Sequence, residues 1–191
     1  MTLLAAKFRI KHRGIFNLKG LYEYLHEWVI EEGYAYDGSD PKFRETFHSQ
    51  TEFADGSKEL WIWWRCEKNP AQSSYYKYEL DIDWHAVPFK DIEMAYKGKK
   101  LKLVDGELEI QIYARVVSDC NDTWKKHWFL KHFNRIYWKV IMKSDFEKHK
   151  IELYRDAYRL QETIKDYWKL IVGAEEPEHE GGFLPQEGIG E

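Results

Sequence analysis

The chain has 191 residues, of which 43% are hydrophobic and 17% aromatic, and its formal net charge is −4. This composition excludes a disordered chain and supplies enough apolar surface for one domain with a sizeable core. No apolar run approaches the roughly 18 residues of a membrane span, and Cys66 and Cys120 alone make neither a disulfide framework nor a cysteine-rich zinc site. Together with the absence of a secretory signal pattern, this predicts a cytoplasmic protein.

The first elements along the chain are predicted to be a strand and a helix. Residues Lys7–Arg13 alternate with period two, as in a strand exposed on one face. Asn17 is a suitable N-cap, apolar residues follow at helical spacing, and Gly33 is a natural stop.

The central part of the chain keeps a period of two for about 75 residues, which predicts a sheet. The turn signals are Asp55-Gly56-Ser57, Pro88, Gly98 and Asp105-Gly106. Alternation of apolar and polar residues this regular is typical of an antiparallel sheet with one buried face. The predicted strands are Phe43–Phe53, Leu60–Lys68, Tyr76–Val87, Asp91–Lys97, Lys99–Val104 and Glu107–Val117.

The C-terminal third is predicted to be helical. Thr123 caps a helix to about Lys143, and Ser144-Asp145-Phe146-Glu147 has the capping-box pattern of a new helix or a kink, which ends at Gly173. Whether this is one helix or two stays open. The prediction is therefore one α+β domain over residues 1–173, with six or seven antiparallel strands, followed by an acidic and flexible tail over 174–191. A charged fraction of 32% with few amides resembles thermophilic proteins.

The order strand, helix, sheet, long helix over residues 7–172 resembles the helix-grip fold of the START and Bet v1 superfamily of apolar-ligand carriers, although one helix stands where that family usually has two. The resemblance implies a cavity between the sheet and the last helix. The aromatic side chains predicted to line it are Trp64, Tyr78 and Trp84. The alternative is that these rings form a close-packed core.

Residues 123–144 contain six Lys or Arg side chains and no acid. At helical spacing one side combines tryptophans with cations, namely Trp124, Trp128, Lys131, Arg135, Trp138 and Lys139. Such a surface suits a protein partner or a second copy of the chain, a nucleic acid, or an anionic membrane surface. Another element of the same fold covering these tryptophans is the structural alternative.

Asp81, Asp83 and His85 share one face of a strand, with Glu79 just before them. Carboxylates and an imidazole in this pattern suit a divalent metal or acid–base chemistry. With Glu109 they resemble the charged tunnel of triphosphate-hydrolysing metalloenzymes, but the Glu-x-Glu-x-Lys expected on the first strand is missing. The alternative is a solvated face whose opposite charges pair across strands.

The chain has no glycine-rich nucleotide loop, no Gly-x-Ser-x-Gly and no His-x-x-x-His. We therefore expect no cofactor, and an enzymatic role is disfavoured. The leading hypothesis is a non-enzymatic binding or scaffolding domain that acts through aromatic and basic surfaces on a protein partner or its own copy. The alternatives are an apolar-ligand carrier, a metal-dependent phosphohydrolase, and a nucleic-acid or membrane-surface binder.

Overall fold

The computed structural model describes residues 2–34, 45–70, 75–96, 99–118 and 143–175, which form five strands and two helices. The basic tryptophan-rich residues 123–142 and the acidic residues 176–191 lie outside this part. The elements are β1 (Thr2–Phe16), α1 (Leu18–Glu31), β2 (Glu45–Glu52), β3 (Lys58–Lys68), β4 (Tyr76–Tyr96), β5 (Lys99–Ser118) and α2 (Lys143–Glu175).

The five strands form one antiparallel sheet in the order β1-β5-β4-β3-β2. The α+β class with an antiparallel sheet, a short N-terminal helix and a long C-terminal helix is confirmed. The first strand lies beside the last, and the other strands follow as a meander in which each strand pairs with its neighbour in the sequence.

The sheet has fewer strands than the sequence pattern predicts, because β4 and β5 do not break where turns were expected. Pro88 lies inside β4, at a register shift between Ala86 and Phe89 that removes it from the hydrogen-bond ladder. Gly106 lies inside β5, opposite Phe89. The predicted ends at Pro88 and Asp105-Gly106 are therefore wrong, and each pair of short strands is one long strand.

Both helices cover the same face of the sheet, which we call the inner face. α2 contributes a stripe at spacings of three and four residues, and α1 a shorter one, to a single core with the inner-facing strand residues. The stripe of α2 is Phe146, Leu153, Ala157, Leu160, Ile164 and Trp168, and that of α1 is Leu21, Leu25 and Val29.

Local signals explain the ends of α1. The side chain of Asn17 accepts a hydrogen bond from the Gly20 amide at 2.9 Å, which is the predicted N-cap. Gly33 has a φ of 77°, a conformation that glycine adopts without steric cost. At the other end of the chain, α2 continues through Gly173 to Glu175, so the predicted stop there is wrong.

Buried hydroxyl groups fix α2 to the rest of the fold. Tyr34 donates to Asp156 at 2.7 Å, and Tyr78 donates to Glu152 at 2.8 Å while its oxygen lies 2.6 Å from Nδ1 of His149. Burial, with the neighbouring carboxylates, raises the pKa of both tyrosines well above the ordinary value. Both hydroxyls therefore remain donors. Among the described residues, neither helix combines the length and apolar character that a membrane crossing requires.

We predict that Gly106→Ala destabilises the protein, because a Cβ at this position lies 2.5 Å from both Phe89 Cβ and the Pro88 carbonyl oxygen. Relieving such a clash in a packed region costs about 1–3 kcal/mol of unfolding free energy. Urea denaturation of the variant beside Asp105→Ala, an exposed neighbour, measures this cost. Equal stability of the two variants would contradict the close approach at the β4 bulge.

Candidate functional site

The second face of the sheet, which we call the outer face, changes in character from one edge to the other. One row of outer-face residues crosses the sheet from β1 to β2. It consists of Arg9, Gln111, Asp83, Trp63 and Phe47. The adjacent row runs from Lys11 through Glu109, His85 and Trp61 to Ser49. The outer face is thus cationic on β1, mixed on β5 and β4, and aromatic on β3 and β2.

The predicted metal candidates Asp81 and Asp83 do share this face, but arginine side chains are bound to them. Asp81 is 8% exposed and contacts both Arg115 and Arg65. Asp83 accepts a hydrogen bond from Arg65 at 2.5 Å. Within the described ranges, no group of three or more metal-ligating side chains is placed to hold an ion. The arrangement is that of cross-strand ion pairs.

The carboxylate of Glu109 on the outer face is held by three side chains. Nε and Nη2 of Arg9 each donate to it at 2.6 Å, and Lys11 lies 3.0 Å and Gln111 2.6 Å from its oxygens. The hydrogen bonds from Arg9, with those from Lys11 and Gln111, lower the pKa of Glu109 to about 2 against the cost of burial. This charge therefore ties β1 to β5 at neutral pH.

At the other edge of the outer face lies a group of rings that we call the aromatic patch: Phe47, Trp61, Trp63 and His85. The first three are 36–39% exposed although they lie on regular strands. Phe47 stacks on Trp63 with 4.4 Å between ring centroids, and Trp61 stacks on His85 at 3.6 Å. The guanidinium of Arg65 lies 5.6 Å from the Trp63 ring. The patch is a stacked, partly exposed and largely aromatic surface.

Glu59 holds the second stacked pair in place. Its Oε1 accepts a hydrogen bond from Trp61 Nε1 at 2.9 Å and lies 3.0 Å from His85 Nε2. The hydrogen bonds from His85 and Trp61 lower the pKa of Glu59. The indole ring is therefore oriented by both a stack and a charge-assisted hydrogen bond, with little rotamer freedom left to lose on binding.

The three predicted cavity residues lie on the inner face and are fully buried. Trp64 and Trp84 pack against each other at 5.0 Å and against Tyr22 of α1. Clefts of about 550, 700 and 380 Å³ lie elsewhere on the surface, and none of the three is lined by Trp64, Tyr78 or Trp84. The indole nitrogen of Trp84 has no hydrogen-bond acceptor within the part of the chain described.

The structure brings together aromatic residues that the sequence pattern does not single out as a site. Period two already puts Trp61 and Trp63 on one face, opposite to Trp64. The sequence alone gives no signal for Phe47, because only the β2–β3 register places it beside Trp63. The predicted binding residues Trp124, Trp128, Lys131, Arg135, Trp138 and Lys139 lie outside the described residues, and that site stays a prediction.

Comparison of the chain with known protein families, with curated proteins and with solved structures gave no match.

We predict that Glu109→Gln removes an acid-sensitive part of the stability. The folded-state pKa of Glu109 lies below the unfolded value, so its contribution is present above about pH 4.5 and is lost as the pH falls towards about 2. The variant should lose on the order of 2 kcal/mol of unfolding free energy at pH 7, since its half-exposed partners are partly screened by solvent, and little at pH 2.

Denaturant unfolding between pH 2 and pH 7 measures this difference. The matched control is Glu107→Gln, whose more exposed carboxylate pairs with Lys11 at 3.1 Å. A gap between Glu109→Gln and wild type that stays constant with pH would show that Glu109 acts through packing and not through its charge.

Proposed function

We propose that this protein is a non-enzymatic binding domain that engages a protein partner through the aromatic patch. The observation that carries the proposal is a set of stacked, partly exposed aromatic side chains on the face of the sheet that neither described helix covers. Tryptophan and arginine are over-represented among the residues that dominate binding energy in protein interfaces. Trp61, Trp63 and Arg65 provide both types.

The exposure of the Phe47, Trp61 and Trp63 rings to water supports a binding role. Two indoles and a phenyl ring on adjacent strands form one contiguous apolar surface and not three isolated exposed rings, which makes it a candidate contact surface. Their stacking on each other, on His85 and under Arg65 fixes their geometry before binding. An interface built on rigid rings loses less conformational entropy on association.

The charge around the aromatic patch favours a protein over a nucleic acid. A nucleic-acid surface needs unpaired cations beside the rings to meet phosphates. Here β2 carries Glu45 and Glu52 without a Lys or Arg, Glu59 accepts a hydrogen bond from Trp61, and Arg65 is bound to Asp83. Arg115 of the outer face is likewise bound to Asp81, and Lys7, Arg9 and Lys11 lie at the opposite edge, on β1.

We predict that replacing both Trp61 and Trp63 with alanine abolishes binding of the partner while the fold survives, since both side chains are on the exposed face. The partner is first identified by crosslinking and affinity capture with the wild-type chain, then purified and titrated calorimetrically. Loss of two central aromatic anchors should weaken binding by about 100-fold or more.

Two further double variants test whether binding depends on the aromatic patch or on another aromatic surface. Tyr154→Ala with Tyr158→Ala removes two exposed rings of α2 and should leave affinity unchanged. Trp128→Ala with Trp138→Ala tests the predicted tryptophan-rich surface, and its effect on assembly is read by native mass spectrometry. If the Trp61/Trp63 variant keeps the wild-type partner, affinity and assembly state, the proposed role of the patch is wrong.

We also propose that the domain has the helix-grip arrangement, with the carrier function as a second candidate. The strand order, with β1 beside β5 and α2 packed on both, supports that arrangement. The buried indole N–H of Trp84 supports the carrier, because an unsatisfied donor in a core costs about 1–3 kcal/mol. A bound apolar molecule with a carbonyl or hydroxyl oxygen would provide the acceptor.

For the carrier, native mass spectrometry should show a small non-covalent adduct that is lost on denaturation. Trp84→Phe keeps an aromatic ring but removes the N–H, so it should reduce the adduct, while Trp61→Phe on the outer face should not. An adduct-free wild-type protein would eliminate the carrier and leave the aromatic patch as the candidate site.

A further inference from the structure

The free edge of β2 offers backbone groups for another strand. Phe53 N–H donates to the Ser57 carbonyl at 2.8 Å, which makes Phe53 and Ser57 a hydrogen-bonded pair of the β2–β3 ladder. Two residues further along the ladder, Thr51 lies opposite Glu59 and forms the next pair of this kind. Since hydrogen-bonded and non-hydrogen-bonded pairs alternate in an antiparallel ladder, His48, Gln50 and Glu52 direct their N–H and C=O groups away from β3. In the described part of the chain, β3 is the one strand that pairs with β2.

The two edges of the sheet differ in how they are protected. β1 carries a register shift between Leu4 and Ala6 and a row of four cations, features by which natural sheets prevent edge pairing. β2 has no Pro, Lys or Arg, and its register shift is confined to its first residues, between Glu45 and Phe47. From Phe47 to Glu52 it is a regular, exposed strand.

The charges along β2 specify what can pair with it. Glu45 and Glu52 stand at its two ends, and Lys58, the cation nearest to Glu52 in the register, is bound to Asp91 at 2.6 Å. Burial raises the pKa of Glu45, but hydrogen bonds from Tyr22, His48 and Trp64 outweigh it and lower the pKa, so this carboxylate stays ionised. A second copy of β2 would add two more carboxylates and no Lys or Arg.

The aromatic patch also favours a partner strand that carries Lys or Arg. Alternate side chains of an added strand fall beside Phe47 on the outer face, and Trp63 lies one strand further in, stacked on Phe47. The faces of these rings are electron-rich and attract ammonium and guanidinium groups. A strand with Lys or Arg at alternate positions therefore places its cations beside the exposed ring of Phe47, while Glu45 and Glu52, on the other side of β2, attract the same cations over a longer distance.

We propose that β2 receives an extended, Lys- or Arg-containing segment of the protein partner by strand addition. This proposal deepens the proposed function, on which it rests: main-chain hydrogen bonds to His48, Gln50 and Glu52 provide affinity, and cations over the aromatic patch provide selectivity.

The probe for this proposal is an acetylated eight-residue peptide, the length of β2, that alternates Lys and Val. We expect it to bind, to slow amide hydrogen exchange at His48, Gln50 and Glu52, and to bind more weakly as salt is raised. The same peptide with Glu in place of Lys should not bind. Equal binding of both peptides, or of neither, would overturn the proposal.

Gln50→Pro removes an outward-pointing N–H that the fold itself does not use, so it blocks strand addition at an edge position where proline is tolerated. This substitution should weaken binding of the Lys/Val peptide by about tenfold or more, whereas Gln50→Ala should leave the affinity unchanged. Glu52→Lys, which leaves the backbone unchanged, should also weaken it. Wild-type affinity in both Gln50→Pro and Glu52→Lys would refute strand addition.

The outcomes separate this inference from the proposed function. If Trp61→Ala with Trp63→Ala abolishes partner binding but Gln50→Pro does not, the aromatic patch stands and strand addition fails. If light scattering shows a wild-type dimer that Gln50→Pro dissociates, the occupant of the edge is a second copy, and the basic partner segment is wrong.

Discussion

The ladder between β4 and β5 is the constraint on which the rest of the structure depends. It runs from the Tyr76–Ser118 pair to the Tyr96–Lys99 pair, and every other strand is added to one of its sides. Its continuity requires that Pro88 stand in a bulge and that residue 106 have no Cβ to meet Phe89. Two residues that usually end strands thus allow one long ladder, which in turn places β1, β3 and α2.

The ion pairs of the outer face act on register as well as on stability. Exposed pairs contribute little free energy, but Asp81 and Glu109 are each less than 10% exposed, so displacing their arginine partners leaves a buried charge. A slip of one residue would also move every inner side chain to the outer face. The same carboxylates that suggest a metal site in the sequence therefore hold β1, β5, β4 and β3 in alignment.

The aromatic patch and the free edge of β2 lie together at the β2 side of the sheet, where the ionic layer ends at Arg65. Packed exposed rings, an edge that pairs with no second strand among the described residues, and two carboxylates with no Lys or Arg on β2 itself are three separate features of β2 and β3. Each is a different liability in an isolated chain: exposed apolar area, backbone groups open to pairing with another strand, and an excess of negative charge on β2. One basic, extended partner segment would relieve all three.

The sequence by itself determined the features that depend on neighbours in the chain. The Asn17 cap, the Gly33 stop and the hairpin at residues 55–57 follow from local backbone and side-chain chemistry, and period two separates Trp61 and Trp63 from Trp64. Tertiary structure decided which of the two faces is covered, because that depends on where both helices pack. It also decided that Pro88 and Gly106 continue a strand and that arginines bind Asp81 and Asp83, since these depend on residues distant in the chain.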